Sequence, residues 1–261
     1  MKSTEDCKKA NEEINTQSKT LVVISGPSGV GKGPLMESLK VYLSAQDKKL
    51  CKHVLYTDRE LRDGEVDGVD YHFRTTNWLK EEEERNKLFK TFELPSQLQG
   101  IDFGTLAKEM DEYYVVFLEI FYERVPNIKE FCRARNIITN SVFVTPLSEN
   151  DYNEMGCGNV DFLRTMTTYA IMRNKLINRG TDKMIDITKR AGKAYTEIKE
   201  HIKYDYDHDL VNPYGEDNRY FWRKLCNYLQ TPNDGLQKAL QDSTIKGLSE
   251  VFERFIKYLK L

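Results

Sequence analysis

The stretch Gly26-Pro27-Ser28-Gly29-Val30-Gly31-Lys32-Gly33 carries the strongest chemical signal in the sequence. Glycines let a backbone wrap closely round a phosphate chain, and a helix that starts at the end of such a loop turns free N–H groups and a partial positive charge towards it. Lys32 is then placed to reach the β- and γ-phosphates of a nucleoside triphosphate. The usual Ser or Thr after the lysine, whose hydroxyl ligates Mg²⁺, is replaced by Gly33, and Pro34 has no hydroxyl either. The ion is therefore expected on nucleotide oxygens and water, with Ser28 or the carboxylate of Glu119 as the protein donor. A second group, Arg59, Arg62 and Tyr71, offers two guanidinium forks and a phenol, a set suited to clamping a phosphate dianion. Taken alone, two arginines three apart more often describe a solvated surface than a site, and His72 reads as a structural histidine.

These residues need elements to hold them. Thr20-Leu21-Val22-Val23-Ile24 is an apolar, β-branched run that reads as a buried strand, and Leu35, Leu39, Tyr42 and Leu43 fall at helical spacing behind the glycine loop. Strand, loop and helix in that order are the context in which a GxxxxGK string binds nucleotide. Pro34 stands in the first helical turn, where a missing N–H costs nothing. Residues 50 to 107 alternate short extended pieces with turns and an acidic run, Glu81 to Glu84, and read as an inserted lobe. Tyr113 to Leu118, ended by Glu119, and Ile137 to Val144 are further buried-strand candidates. Strands separated by helical patterns predict a parallel sheet flanked by helices. Residues 151 to 158 read as a loop, Phe162 to Leu176 as a helix, and a second helical stretch runs on towards Ile202. Beyond Asn212 a proline-glycine break precedes two helical patterns, the last with Leu248, Val251, Phe252, Phe255 and Leu259 on one face, as expected of packed structure.

Composition narrows the possibilities. The 261 residues suit one large α/β unit with sub-lobes, and although 31% are charged, the net charge is only −2, so no basic field argues for a nucleic-acid partner. No apolar run approaches the roughly 20 residues that cross a bilayer, and the polar start MKSTEDCKKANEEINTQSK is unlike a secretory signal. A cytoplasmic protein with reduced thiols is expected, since the five cysteines, Cys7, Cys51, Cys132, Cys157 and Cys226, show neither CxxC spacing nor a histidine cluster.

The loop GPSGVGKG, the stretch RELRDGEVDGVDYHF, the RGTD at Arg179 to Asp182 and the KYDYDHDLVN at Lys203 to Asn212 stand in the order and approximate spacing of guanylate kinase, and the chain resembles that family over residues 20 to 212. The resemblance implies a P-loop NTPase fold with an acceptor lobe near 50 to 107 and a lid near 172 to 192. A polar arm, 1 to 19, would precede this domain and a helical extension, 213 to 261, would follow it. It implies transfer of a phosphoryl group from ATP, with Mg²⁺, to GMP or dGMP, by a monomer or homodimer whose partners are small nucleotides, with neither nucleic acid nor membrane involved. Residue by residue, it implies that the loop Gly26 to Gly33 and Asn212 hold ATP, and that Arg59, Arg62 and Tyr71 hold the acceptor phosphate. Glu93 and Thr105 would read the guanine edge, with Glu119 on the substrate side, while Lys32, Arg179 and Arg190 would carry the transfer. Lys175 stands where the family usually has arginine, Phe103 where it has tyrosine, Leu55 and Tyr56 where it has serines, and Phe121 where it has a second acid that helps read guanine. These departures keep open two other readings: a related phosphokinase with a different phosphate acceptor, such as a ribose phosphate or a modified nucleotide, and a catalytically silent binding module of the same fold.

Overall fold

The structure, a computed structural model, describes residues 20–62, 64–94 and 97–261. The expected polar arm, Cys7 and Asp63 of the arginine-bearing stretch lie outside the described residues.

The apolar run folds as β1 (Thr20–Ser25), the centre of a five-stranded sheet in which every pairing is parallel. Its neighbours are β7 (Val115–Glu119) and β8 (Ile138–Thr145), with β2 (Leu50–Lys52) outside β7 and β9 (His208–Val211) outside β8. Alternate residues of β1 feed opposite cores: Val22 and Ile24 pack into one, Leu21 and Val23 into the other. A central parallel strand buried on both faces has to read as a continuous apolar run. The first core is closed by α1 (Lys32–Ser44), α6 (Asp161–Arg179), α7 (Met184–Glu200) and the C-terminal helices; the second by α3 (Phe103–Glu112) and α4 (Val125–Arg133). The predicted parallel sheet with helices on both faces is what forms.

A second, four-stranded sheet lies between β2 and α3. Its order is β4 (His72–Phe73), β3 (Tyr56–Thr57), β6 (Gln97–Asp102), β5 (Phe89–Leu94), with β3–β6 and β5–β6 antiparallel. The acidic run falls on α2 (Thr76–Arg85), whose N-cap Thr75 accepts from the Trp78 N–H. Leu50–Lys52 belongs to the central sheet, so the small sheet itself begins at Tyr56.

Two local expectations are corrected. Of residues 151–158, expected as loop, 151–154 belong to the short helix α5 (Glu149–Glu154), nucleated by a capping box in which Ser148 and Asp151 exchange side-chain and backbone hydrogen bonds. Tyr152 anchors it from the core, its hydroxyl 2.7 Å from Thr168 Oγ1. The segment after the Pro213 to Gly215 break holds three helices where two patterns were expected: α8 (Arg219–Leu229), α9 (Gly235–Gln241) and α10 (Lys246–Tyr258). The tight turn before α9 depends on Gly235, because a Cβ there would sit 2.1 Å from the Tyr228 carbonyl oxygen. Leu248, Val251, Phe252, Phe255 and Leu259 are all buried, as their spacing predicts. No helix among the described residues is long and apolar enough to cross a membrane. Cys51, Cys132, Cys157 and Cys226 are free thiols.

Candidate active site

The carboxyl ends of β1 and β7 open into a cleft of about 430 Å³ between the central sheet, the small sheet and the α6–α7 pair. Ligands of open parallel sheets bind at this end, where loops and helix N-termini converge.

The glycine loop leaves β1 at Ser25, whose hydroxyl is tied to the Ile120 carbonyl at 2.6 Å. Gly26 has φ 145°, and a Cβ there would lie 2.3 Å from the Val144 carbonyl oxygen, so only glycine passes so close to β8. Lys32, the first residue of α1, folds back over the loop: its Nζ donates to the carbonyls of Gly26 at 2.7 Å and Pro27 at 3.0 Å and stands 3.5 Å from Glu119 Oε1. The parallel register, Ile24 opposite Glu119, is what sets that carboxylate beside the loop. The Gly33 Cα faces open space.

The small sheet supplies the second wall. Arg59 holds Glu65 through both guanidinium nitrogens at 2.6 Å, and its guanidinium lies 5.0 Å from the centre of the Tyr71 ring. The Arg62 backbone N–H donates to the same Glu65 carboxylate at 2.9 Å. Burial works against ionising Glu65, yet Arg59 and the Arg62 N–H hold its carboxyl below the usual range. Burial, with Arg190 and Arg59 close by, pushes the Arg62 guanidinium below its own. Burial also raises the Tyr71 phenol to about 12, so it stays protonated as a donor.

The third wall is the α6–α7 turn, made at Gly180 with φ 75°. Arg179, the last residue of α6, pairs with Asp182 and, at 2.6 Å, with Glu216. Arg190 bridges Asp182 at 3.0 Å and Ser28 Oγ at 3.2 Å, joining this wall to the glycine loop. On the same face of α7, Lys193 and Glu197 follow at i+3 and i+7 and also line the cleft. Burial pushes the Glu197 carboxyl up to about 7, against the opposing pull of Lys32 and Lys193.

Gly26, Ser28, Gly29, Lys32, Arg59, Arg62, Tyr71, Glu119, Arg179 and Arg190 thus line one cleft. Other expected residues stand elsewhere. Asn212 is fully buried behind the loop, with its Nδ2 on the Val30 carbonyl at 2.9 Å and its Oδ1 accepting from the Tyr214 N–H at 3.1 Å; it braces the loop from behind. Lys175 donates to the Pro213 carbonyl, also behind the loop. The Thr105 hydroxyl is exposed and donates to Asp102, the N-cap of α3, at 2.9 Å. Phe103 is a core residue stacked on Phe131 at 4.1 Å.

Glu93 is displaced by strand parity. In the β5–β6 ladder, Leu94 pairs with Gln97 and Phe92 with Gln99, whereas Glu93 pairs with Leu98 on the reverse face. Partners in an antiparallel ladder share a face and neighbours along a strand do not. Leu94, Gln97 and Gln99 line the cleft while Glu93 is exposed, its carbonyl accepting from Arg124. The expected substitutions divide in the same way: Leu55 and Phe121 line the cleft, and Tyr56 faces the other side, stacked on Trp78.

Sequence reading missed Glu65, Asp182, Glu197, Glu216 and the two glutamines. The i, i+3, i+7 polar stripe of Arg190, Lys193 and Glu197 was a legible signal for Glu197. Glu216 carried none, since its role depends on a chain reversal after β9.

A glycine loop between a parallel strand and a helix, facing two arginines across a cleft, defines a P-loop α/β protein. Residues 18–161 match the guanylate kinase family model, more than half of the chain. The guanylate kinase of Enterococcus faecalis is 30% identical over 186 residues, covering 71% of this chain and 78% of that protein. That of Streptococcus pyogenes is 31% identical over 192 residues, covering 74% and 77%. Among solved structures, the guanylate kinase of Anaplasma phagocytophilum aligns over 92% of this chain and 96% of its own, with 19% identity and a TM-score of 0.49. The chain belongs to the guanylate kinase family.

Proposed function

We propose that this chain transfers the γ-phosphoryl group of ATP to GMP or dGMP, releasing ADP and the nucleoside diphosphate. The observation that carries the reading is the convergence on one cleft of Lys32 from the glycine loop, Arg59, Arg62 and Tyr71 from the small sheet, and Arg179 and Arg190 from the α6–α7 turn. Phosphoryl transfer asks a protein for alignment and charge neutralisation, and cationic groups at the donor, the acceptor and between them supply both. The phosphate chain of ATP would take Lys32 Nζ from the two loop carbonyls that now hold it. The acceptor phosphate would compete with Glu65 for Arg59. Arg179 and Arg190, linked through Asp182, are placed to close over the transferring group as a unit. A silent binding module has no use for this set.

Magnesium fits the donors present. Gly33 and Pro34 offer no side-chain oxygen, so Glu119, 40% exposed beside Lys32, is the carboxylate that would hold the ion, with the Ser28 hydroxyl. When bound, it neutralises the β- and γ-phosphate oxygens. We place the reaction in the cytoplasm, on free nucleotides, by a monomer or homodimer.

The test is a coupled ADP-release assay with ATP and Mg²⁺ against GMP, dGMP, AMP, CMP, UMP and dTMP. Turnover confined to GMP and dGMP is the expected result. Silence across the panel with ATP still bound would overturn the reading.

A further inference from the structure

Glu216 lies past residues 20 to 212, the span of the family resemblance, yet it lines the cleft. The segment that carries it is pressed against the glycine loop. The Glu216 backbone N–H donates to the Gly29 carbonyl at 3.3 Å, and a Cβ on Gly215 would lie 2.8 Å from that same oxygen. The Gly215 carbonyl accepts from the Trp222 indole at 3.0 Å, and Arg219 donates to the Arg179 carbonyl. Anchored in this way, the Glu216 carboxylate takes Arg179 Nη1 at 2.6 Å while Asp182 takes Nη2. The two contacts use one N–H of each terminal nitrogen and leave the other two, with Nε–H, no acceptor among the described residues. Phosphate oxygens can therefore be met without displacing either carboxylate. Burial opposes the Arg179 charge, but Glu216 and Asp182 outweigh it and hold the guanidinium above its usual range. Asp182 passes the constraint to Arg190 at 3.0 Å, and Arg190 to Ser28 Oγ at 3.2 Å, so the series of contacts begins and ends on the glycine loop.

Resting on the kinase reading, we infer that Glu216 is a positioning residue for phosphoryl transfer. It fixes the plane of the Arg179 guanidinium against the transferring group, and so makes the segment after β9 part of the active site. Misplacing such a group by about 1 Å costs on the order of 100-fold in rate. An arginine that meets charge developing on the transferring phosphoryl acts on the transition state, so the loss falls on kcat and spares ground-state binding.

The experiment measures kcat and KM for ATP and GMP, and calorimetric binding of ADP with aluminium fluoride, a mimic of the transferring phosphoryl, in the presence of GMP. The proteins are the wild-type chain, Glu216→Ala, Glu216→Gln, Arg179→Ala and the double variant Arg179→Ala with Glu216→Ala. Both Glu216 substitutions keep the backbone N–H that meets Gly29. Glu216→Ala should lower kcat by about 10- to 100-fold with both KM values within about threefold of wild type. Glu216→Gln, which keeps the side chain's size and one acceptor oxygen and serves if the alanine variant does not fold, should lose only about 3- to 10-fold. Adding Glu216→Ala to Arg179→Ala should cost no more than about twofold further, since the carboxylate acts only through that guanidinium. Binding of the aluminium fluoride complex should weaken in step with kcat. An unchanged kcat, a loss confined to KM, or additive losses in the double variant would each overturn the inference. A rise in kcat would overturn it too, and would make Glu216 a latch that holds Arg179 off the phosphates. If no monophosphate is turned over, weaker aluminium fluoride binding in Glu216→Ala would overturn the kinase reading and leave this one standing; binding equal to wild type would overturn both.

Discussion

The Arg59 guanidinium is engaged by Glu65 through both of its nitrogens, whereas Arg62 meets that carboxylate with its backbone N–H at 2.9 Å and keeps its guanidinium 3.7 Å away and more exposed. Both carry charge-assisted contacts to the proposed phosphate, so Arg59→Ala and Arg62→Ala should each lower kcat/KM for the acceptor by about 2–3 kcal/mol. ATP affinity, measured by titration without acceptor, should be unchanged in both; an equal loss there would show that the clamp has been assigned to the wrong nucleotide. These arginines were legible because their spacing in one short turn-rich stretch is local. Glu93, which the resemblance sets at the guanine edge, stands on the reverse face of β5, since one step along a strand exchanges the cleft for that face.

At the scale of elements, the glycine loop is held from behind by the chain that follows β9. Asn212 ties off the Val30 carbonyl, and the Trp222 indole N–H donates to the Gly215 carbonyl at 3.0 Å against the back of Gly31. Asn212→Ala leaves a buried carbonyl unpaired and should cost about 1–3 kcal/mol in urea unfolding. Trp222→Ala adds a cavity and should cost about 3–5 kcal/mol. If the bracing is real, both variants should also weaken ATP binding although neither residue lines the cleft. ATP affinity untouched in a folded, destabilised variant would limit both residues to the core. The strand, the loop and α1 could be read from apolar run, glycines and 3.6-residue spacing. This brace could not, because it joins positions 182 residues apart.

At the scale of the molecule, α8 to α10 complete the first core. Trp222, Leu225, Phe252 and Phe255 are buried in it, Tyr42 of α1 meets Phe252 edge-on at 5.8 Å, and the His208 ring of β9 stacks on Tyr258 at 4.3 Å. Each large apolar side chain contributes about 1.5–3 kcal/mol, so a handful approaches the whole net stability of about 5–15 kcal/mol. Deleting residues 213–261 should therefore abolish cooperative thermal unfolding, and a truncated chain that melted as sharply as the parent would show the helices to be dispensable. Global stability should also respond to Glu197. Its folded carboxyl, raised to about 7 from an ordinary 4.5, binds a proton more tightly than the unfolded chain does, so stability falls as pH rises from about 4.5 to 7. Glu197→Gln should flatten that fall and leave the variant more stable at pH 8 by about 1–3 kcal/mol in urea titrations. A parallel pH profile in both proteins would mean the carboxyl is not held this way.

The sequence by itself determined the parallel α/β class, the strand, glycine loop and helix in order, the short stretch carrying Arg59 and Arg62, the turn carrying Arg179, and the burial of the last helix. All of these are written in apolar periodicity or in motifs a few residues long, where local geometry leaves little choice. Only the tertiary structure decided that Gln99 and Leu94 look into the cleft and Glu93 away, that Asn212 braces the loop from behind, and that Arg179 is met by Glu216. Those outcomes depend on strand register and on chain reversals between distant segments, and no short-range pattern encodes them.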